Sequence, residues 1–135
     1  MDNTKISSKE LARAITAVLI EKKALDVRVY SVMEKSSITD FYVNATGRSQ
    51  TNVQALADEV TYKMGLIGRE ELRVEGRGGN SWLLVDYGDV IVNIFDRQSR
   101  EFYNHDRLMP ENSAVDISDI IEEIDKKFDI DKKED

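Results

Sequence analysis

The apolar residues Leu11, Ile15, Val18 and Leu19 recur at the spacing of one helix face, which predicts an amphipathic helix running to about Lys23. Just before them, Ser7-Ser8-Lys9-Glu10 has capping-box spacing, with the Ser7 hydroxyl placed to accept from the Glu10 amide. The period then changes to two. Asp26-Val27-Arg28-Val29-Tyr30-Ser31-Val32 alternates, and Asp40-Phe41-Tyr42-Val43-Asn44-Ala45-Thr46 is rich in residues that favour extended backbone and stops at Gly47. Both segments are expected as strands. A second helix is expected after Ser49 as its N-cap, on the stripe Val53, Leu56, Ala57, Val60 and Met64, with Gly65 supplying the left-handed residue that ends it.

Beyond residue 70 the pattern is that of a sheet. A short strand over 72–75 leads into Gly76-Arg77-Gly78-Gly79-Asn80, read as a flexible connection, and strands over 81–85 and 90–95 flank the turn Asp86-Tyr87-Gly88-Asp89 as a hairpin. Trp82-Leu83-Leu84-Val85 and Val90-Ile91-Val92-Asn93-Ile94-Phe95 are almost continuously apolar, which predicts central strands covered on both faces by helices. A third helix is expected over 99–108, stopping before Pro110. Ile117, Ile120, Ile121, Ile124 and Phe128 predict a last amphipathic helix that frays over 129–135, where little remains to bury. The order α-β-β-α-β-β-β-α-α gives an α/β fold. It is expected as a single domain over residues 1–110, a mixed sheet of about five strands packed by helices, with an acidic helical tail over 111–135.

Composition narrows the class. A chain of 135 residues suits one domain. No apolar run approaches the roughly 18 residues of a membrane span, residues 1–10 carry mixed charge without the apolar core of a secretory leader, and Cys is absent. A cytoplasmic protein with no membrane partner is expected. With no thiol and His105 as the sole histidine, a transition-metal site has almost no ligands, so neither metal nor cofactor is expected. The 26 acidic and 19 basic side chains leave a net charge of -7, and nine of the acids against four lysines lie in residues 116–135. A body near neutrality with an acidic end gains little from counterion release on nucleic acid, so little direct RNA contact and a basic protein partner are expected.

The candidate catalytic signatures are incomplete. The glycines between Gly76 and Gly79 lack the Gly-Lys-Ser/Thr of a phosphate loop and precede a strand rather than a helix. Gly47-Arg48-Ser49 is similar to the Gly-Ser turn of nucleotidyltransferases, where a helix terminus holds a triphosphate, and a nucleotide-binding transferase-like enzyme is the alternative class. The closely spaced strand carboxylates that would hold its magnesium are missing, and Ser49 reads first as a helix cap. His105 reads as a surface histidine in a polar helix, and no serine sits in a G-x-S-x-G elbow. No catalytic residue is assigned. What remains is the hairpin, where alternation puts Trp82, Leu84 and Asp86 on one side and Leu83, Val85 and Tyr87 on the other. A Trp at a sheet margin is either an interface anchor or core, and the hairpin surface could also pair with itself in a homodimer.

From about Ser8 to Pro110 the chain resembles the ribosomal silencing factor family, also called Iojap-like. The resemblance rests on Lys35-Ser36-Ser37-Ile38-Thr39-Asp40-Phe41-Tyr42-Val43, Thr46-Gly47-Arg48-Ser49, Val74-Glu75-Gly76, Trp82-Leu83-Leu84-Val85-Asp86-Tyr87-Gly88-Asp89-Val90-Ile91-Val92 and Arg100-Glu101-Phe102-Tyr103, in that order. It implies an α/β fold similar in shape to nucleotidyltransferases but without their catalytic acids. It also implies binding to large-subunit ribosomal protein 14 on the large ribosomal subunit, which blocks joining of the small subunit and represses translation. Mitochondrial and chloroplast relatives imply a second role, in large-subunit assembly at the same site. On that basis the partner-binding residues are expected to be Trp82, Asp86, Tyr87, Gly88 and Asp89, with Trp82 and Tyr87 as apolar anchors and Asp86 and Asp89 as acceptors for basic side chains. The chain departs from the family pattern at Asn93, where a histidine is usual, and at His105, Asp106 and Met109, which replace Leu, Glu and Trp.

Overall fold

The computed structural model describes residues 6–77 and 79–133; Gly78 of the glycine cluster and residues 134–135 of the tail lie outside the described residues. The elements in chain order are α1 Ser8–Glu21, β1 Leu25–Ser31, β2 Phe41–Thr46, α2 Gln50–Leu66, β3 Arg73–Arg77, β4 Trp82–Asp86, β5 Val90–Phe95, α3 Arg97–Tyr103 and α4 Ser118–Lys133, with a 3-10 turn over His105–Leu108 between the last two. Both expected caps are made. The Ser7 hydroxyl accepts from the Glu10 amide at 3.1 Å, and that of Ser49 accepts from the Asn52 amide at 3.0 Å.

Five strands form one sheet in the order β1-β2-β5-β4-β3. Only β2 and β5 run parallel; the remaining neighbours are antiparallel. One face carries Val29, Phe41, Val43, Ala45, Leu83, Val85, Val90, Val92 and Ile94, and α1 and α2 lay Leu11, Ile15, Leu19, Val53, Leu56, Val60 and Met64 against it to make the core. Gly47 lets α2 approach closely, since a Cβ there would meet the Val53 Cγ2 at 2.8 Å and the Val53 amide nitrogen at 3.0 Å. The outer edge of β1 is closed by residues 113–115, through Ser31 N–H to Ser113 O and Val115 N–H to Val29 O, both 2.8 Å.

Four local expectations change. The second helix runs past Gly65, which stays helical, and the left-handed residue is Gly68 at φ 84°. The expected 99–108 helix is two pieces, because Asn104 turns left-handed at φ 48° after α3, and the chain restarts as the 3-10 turn. Strand β5 is buried throughout, whereas β4 alternates between buried and half-buried positions, so only one of the two strands is covered on both faces. The last helix reaches Lys133 and docks on α1, burying Ile120 and Ile124, with Arg13 bonded to Asp119.

Candidate functional site

The helices α1 and α2 cover one side of the sheet, and the opposite side is built from alternate residues in three ranks set by strand register. Trp82, Phe95 and Thr46 form the first rank, Glu75, Leu84, Asn93, Asn44 and Arg28 the second, and Arg73, Asp86, Ile91, Tyr42 and Tyr30 the third. Helix α3 and the 3-10 turn lie over one end of this face. Tyr103 stacks on Trp82 with ring centroids 4.7 Å apart, Phe95 supports Trp82 from below at 5.0 Å, and His105 meets Tyr42 edge-on at 4.9 Å. Beyond them Phe102 and Leu108 are 80% and 74% exposed.

A directed chain of hydrogen bonds fixes this face. An indole N–H can only donate, so Trp82 Nε1 gives to Asn93 Oδ1 at 3.0 Å, Asn93 Nδ2 to Asn44 Oδ1 at 3.1 Å, and Asn44 Nδ2 to Asp106 Oδ1 at 3.2 Å. The same Asn44 amide lies 3.0 Å from His105 Nδ1, which must therefore accept, and this sets the neutral tautomer with its proton on Nε2. Both asparagines are almost wholly buried, so the chain supplies partners that water cannot. Asp106 also accepts from Arg100 Nε at 2.7 Å and from the Tyr30 hydroxyl at 2.7 Å, while Arg100 Nη1 reaches Thr46 Oγ1 at 2.9 Å. Burial pushes the Asp106 carboxyl up, but the hydrogen bonds from Arg100 and Tyr30, the Arg100 charge and the Asn44 amide outweigh it and leave a pKa of about 2. Burial also lowers the His105 pKa, partly offset by Asp106.

The five residues expected at the hairpin separate. Trp82, half-buried, sits on the open face, and Asp86 shares that face. Asp86 is already engaged: it accepts from Arg73 Nε at 3.1 Å and from the Gly88 amide at 2.7 Å, which closes the turn with Gly88 at φ 87°. Tyr87, expected as an apolar anchor, packs in the core cluster. Its ring points to the helix side at 4% exposure, and its hydroxyl finds no partner among the described residues, so burial holds the phenol pKa up. Asp89 is likewise committed, paired with the buried guanidinium of Arg69 through contacts of 2.6 and 3.3 Å. His105 is a packed, hydrogen-bonded residue of the face rather than a surface histidine, because the left-handed Asn104 turns it inward.

Sequence reasoning missed the Asn44–Asn93–His105–Asp106 cluster. Its one sequence signal was polar residues at the centre of strands otherwise apolar, at Asn44 and Asn93. Asn93, His105 and Asp106 meet in this one network. The Gly47-Arg48-Ser49 turn is closed on itself, since Ser49 caps α2 and the Arg48 amide donates to Asn52 Oδ1 at 2.9 Å. No group of three or more His, Asp or Glu suited to a metal occurs among the described residues, and no described helix is long and apolar enough to cross a membrane.

Comparison with known proteins agrees with this architecture. Residues 5–135 match the family model described as ribosomal silencing factor during starvation. The ribosomal silencing factor of Halalkalibacterium halodurans is 32% identical over 116 residues, covering 86% of this chain and 99% of the relative. A mouse protein named for mitochondrial assembly of the ribosomal large subunit is 25% identical over 97 residues, covering 70% of this chain and 42% of the relative. A crystal structure from Chromobacterium violaceum superposes with a TM-score of 0.74 at 28% identity, covering 77% of this chain and 87% of that one. The chain belongs to the ribosomal silencing factor family.

Proposed function

We propose that this protein binds large-subunit ribosomal protein 14 on the large ribosomal subunit and, by occupying that position, prevents the small subunit from joining. The observation that carries the reading is the aromatic surface where α3 meets the side of the sheet away from α1 and α2: Trp82 of β4 stacks on Tyr103, and Tyr103 on Phe102, beside Leu84 and Tyr42. Large aromatic area on a rigid sheet is the usual substance of a binding hot spot. Here the directed hydrogen-bond chain holds Trp82 in place before any partner arrives, which lowers the ordering cost of docking. Asp86 stands at the rim as an ion pair with Arg73, while Tyr87, Gly88 and Asp89 act by shaping the turn beneath it. The net charge of -7 favours a basic ribosomal protein and opposes contact with the surrounding RNA phosphates.

Exclusion needs no chemistry. If the factor and the small subunit compete, a free concentration of about 100 times the dissociation constant penalises joining by roughly 2.7 kcal/mol, about a hundredfold. The test is retention on immobilised large-subunit ribosomal protein 14. Leu84→Asp puts a charge on the open face beside Asn93 while leaving every member of the hydrogen-bond chain in place, and is expected to weaken binding by tenfold or more, roughly what loss of a hot-spot contact costs. Equal retention of a folded Leu84→Asp protein contradicts the assignment. The name of the mouse relative favours a second role at the same surface, in large-subunit assembly. On that reading cells lacking the factor accumulate incomplete large subunits.

A further inference from the structure

Between α1, β1 and the 113–117 segment lies a cavity of about 290 Å³, on the helix side of the sheet and away from Trp82. Its origin is local. Leu11, Ile15 and Leu19 direct α1 at the core, and the row beside them, facing β1, is short, with Ala12 and Thr16 one turn apart. Side chains this small leave a gap under the segment that closes β1, where Val115 and Ile117 stay half-buried. Ala12, Val29 and Phe41 make a buried apolar floor, and Met33 is the exposed apolar residue of the rim. Most polar groups around the cavity are already engaged. Thr16 Oγ1 donates to Ala12 O at 2.7 Å, and the backbones of Val29 and Ser31 bond to Val115 and Ser113. Arg13 is bonded to Asp119 of α4, and the Asp116 carboxylate accepts from the Ser118 amide at 2.9 Å. Two side-chain groups lining the cavity have no partner among the described residues, the half-buried Ser31 hydroxyl and the exposed Lys9 ammonium.

Apolar walls with a few convergent polar groups are the usual makeup of a small-molecule site. The volume falls at the lower end of the roughly 300–1,000 Å³ such sites span, which suits a compact ligand. Charge decides its head group. Asp119 already balances Arg13, so Lys9 leaves the rim positive. A cationic head would be repelled there, and a neutral one would leave the ammonium without a counter-charge. We propose that this cavity binds a small aliphatic monocarboxylate, with its chain against Ala12, Val29 and Ile117 and its carboxylate held by the Lys9 ammonium and the Ser31 hydroxyl. Such a ligand touches both α1 and the segment that leads into α4, so its binding ties the two together and stabilises the folded chain as occupancy rises. The cavity and the Trp82 surface lie on opposite sides of the sheet, so this site stands apart from the proposed function and either can fail alone.

Methyl NMR of the full chain titrated with sodium octanoate tests this. Wild type is expected to show saturable shifts at Ala12, Val29, Val115 and Ile117, with a dissociation constant on the order of 0.1–1 mM. Octanol is expected to bind about tenfold more weakly, and octylammonium more weakly still. Lys9→Glu changes an exposed side chain and is expected to weaken octanoate about tenfold, to leave octanol within about twofold, and to place octylammonium ahead of octanoate. Ala12→Leu fills the floor of the cavity and is expected to weaken all three by about tenfold or more. Saturating octanoate should raise the melting temperature of wild type and leave that of Ala12→Leu unmoved. The proposal is overturned by the absence of saturable shifts up to about 20 mM, by shifts that map to the Trp82 face, or by octanol or octylammonium binding as tightly as octanoate. A folded Ala12→Leu protein that binds octanoate like wild type overturns it too. Circular dichroism establishes that each variant is folded; should Ala12→Leu fail to fold, the reversal expected in Lys9→Glu decides.

Discussion

Trp82→Ala separates what the open face does for the fold from what it does for binding. The substitution removes two aromatic contacts, to Phe95 and Tyr103, each contributing about 0.5–1.5 kcal/mol. It also strips Asn93 Oδ1 of its indole donor in a nearly wholly buried position, at about 1–3 kcal/mol. Together these give a stability loss of about 4 kcal/mol, or a melting temperature about 15 °C lower for a domain of this size. Docking is expected to lose about 2 kcal/mol more, about thirtyfold in affinity. Trp82→Phe keeps the stack and lacks the N–H, so it should recover most of the affinity while keeping part of the stability loss. Urea titration gives the first quantity and titration of purified large subunits the second. An alanine variant as stable as wild type would refute the hydrogen-bond chain. A folded alanine variant that large subunits retain at wild-type strength would remove Trp82 from the interface.

Asp89→Asn leaves the buried Arg69 guanidinium without its counter-charge and is expected to destabilise the fold by about 3 kcal/mol, readable in the urea midpoint, with a smaller effect on docking per folded molecule. Gly47→Ala forces a Cβ onto the Val53 backbone and should cost about 1–3 kcal/mol in the same assay. The folded His105 holds a depressed pKa, so the unfolded chain binds more protons just below pH 6.5 and stability falls as pH drops through that region. His105→Leu should flatten that slope in urea titrations between pH 7 and 5. The folded Asp106 pKa of about 2 lies below its ordinary 3.8, so its contribution, about 2 kcal/mol, is complete above about pH 5 and is lost progressively as pH falls to about 2 and below. Asp106→Asn should abolish this acid-side loss.

The elements with strong periodicity were legible from sequence because one local rule governed each of them. Ser7 and Ser49 cap as their spacing predicts, and the stripe from Val53 to Met64 is buried as a unit. Local rules failed where two positions satisfied the same rule and tertiary packing chose between them. Gly65 and Gly68 could each end α2, and the chain continues one turn before turning left-handed at Gly68. The break at Asn104 was hidden because Asn tolerates the left-handed region without marking it as glycine does. At the hairpin, alternation placed Trp82 on one side and Tyr87 on the other, and the structure agrees; what sequence could not show is which side the helices cover. The pairing of Asp89 was hidden for a related reason, since its partner Arg69 lies 20 residues earlier and only the fold brings them together. The polar network was the least legible feature: Asn44, Asn93 and Asp106 belong to three separate elements, and no spacing rule links them.

The central claim is that the factor acts by occupying the large subunit in place of the small one. Sucrose-gradient sedimentation of ribosomes mixed with the tagged protein, at a magnesium concentration that permits joining, tests it most directly. The account predicts that the protein travels with free large subunits, is missing from joined ribosomes, and raises the free-subunit fraction as its concentration rises. Enrichment on joined ribosomes, or a free-subunit fraction that does not change, would contradict it.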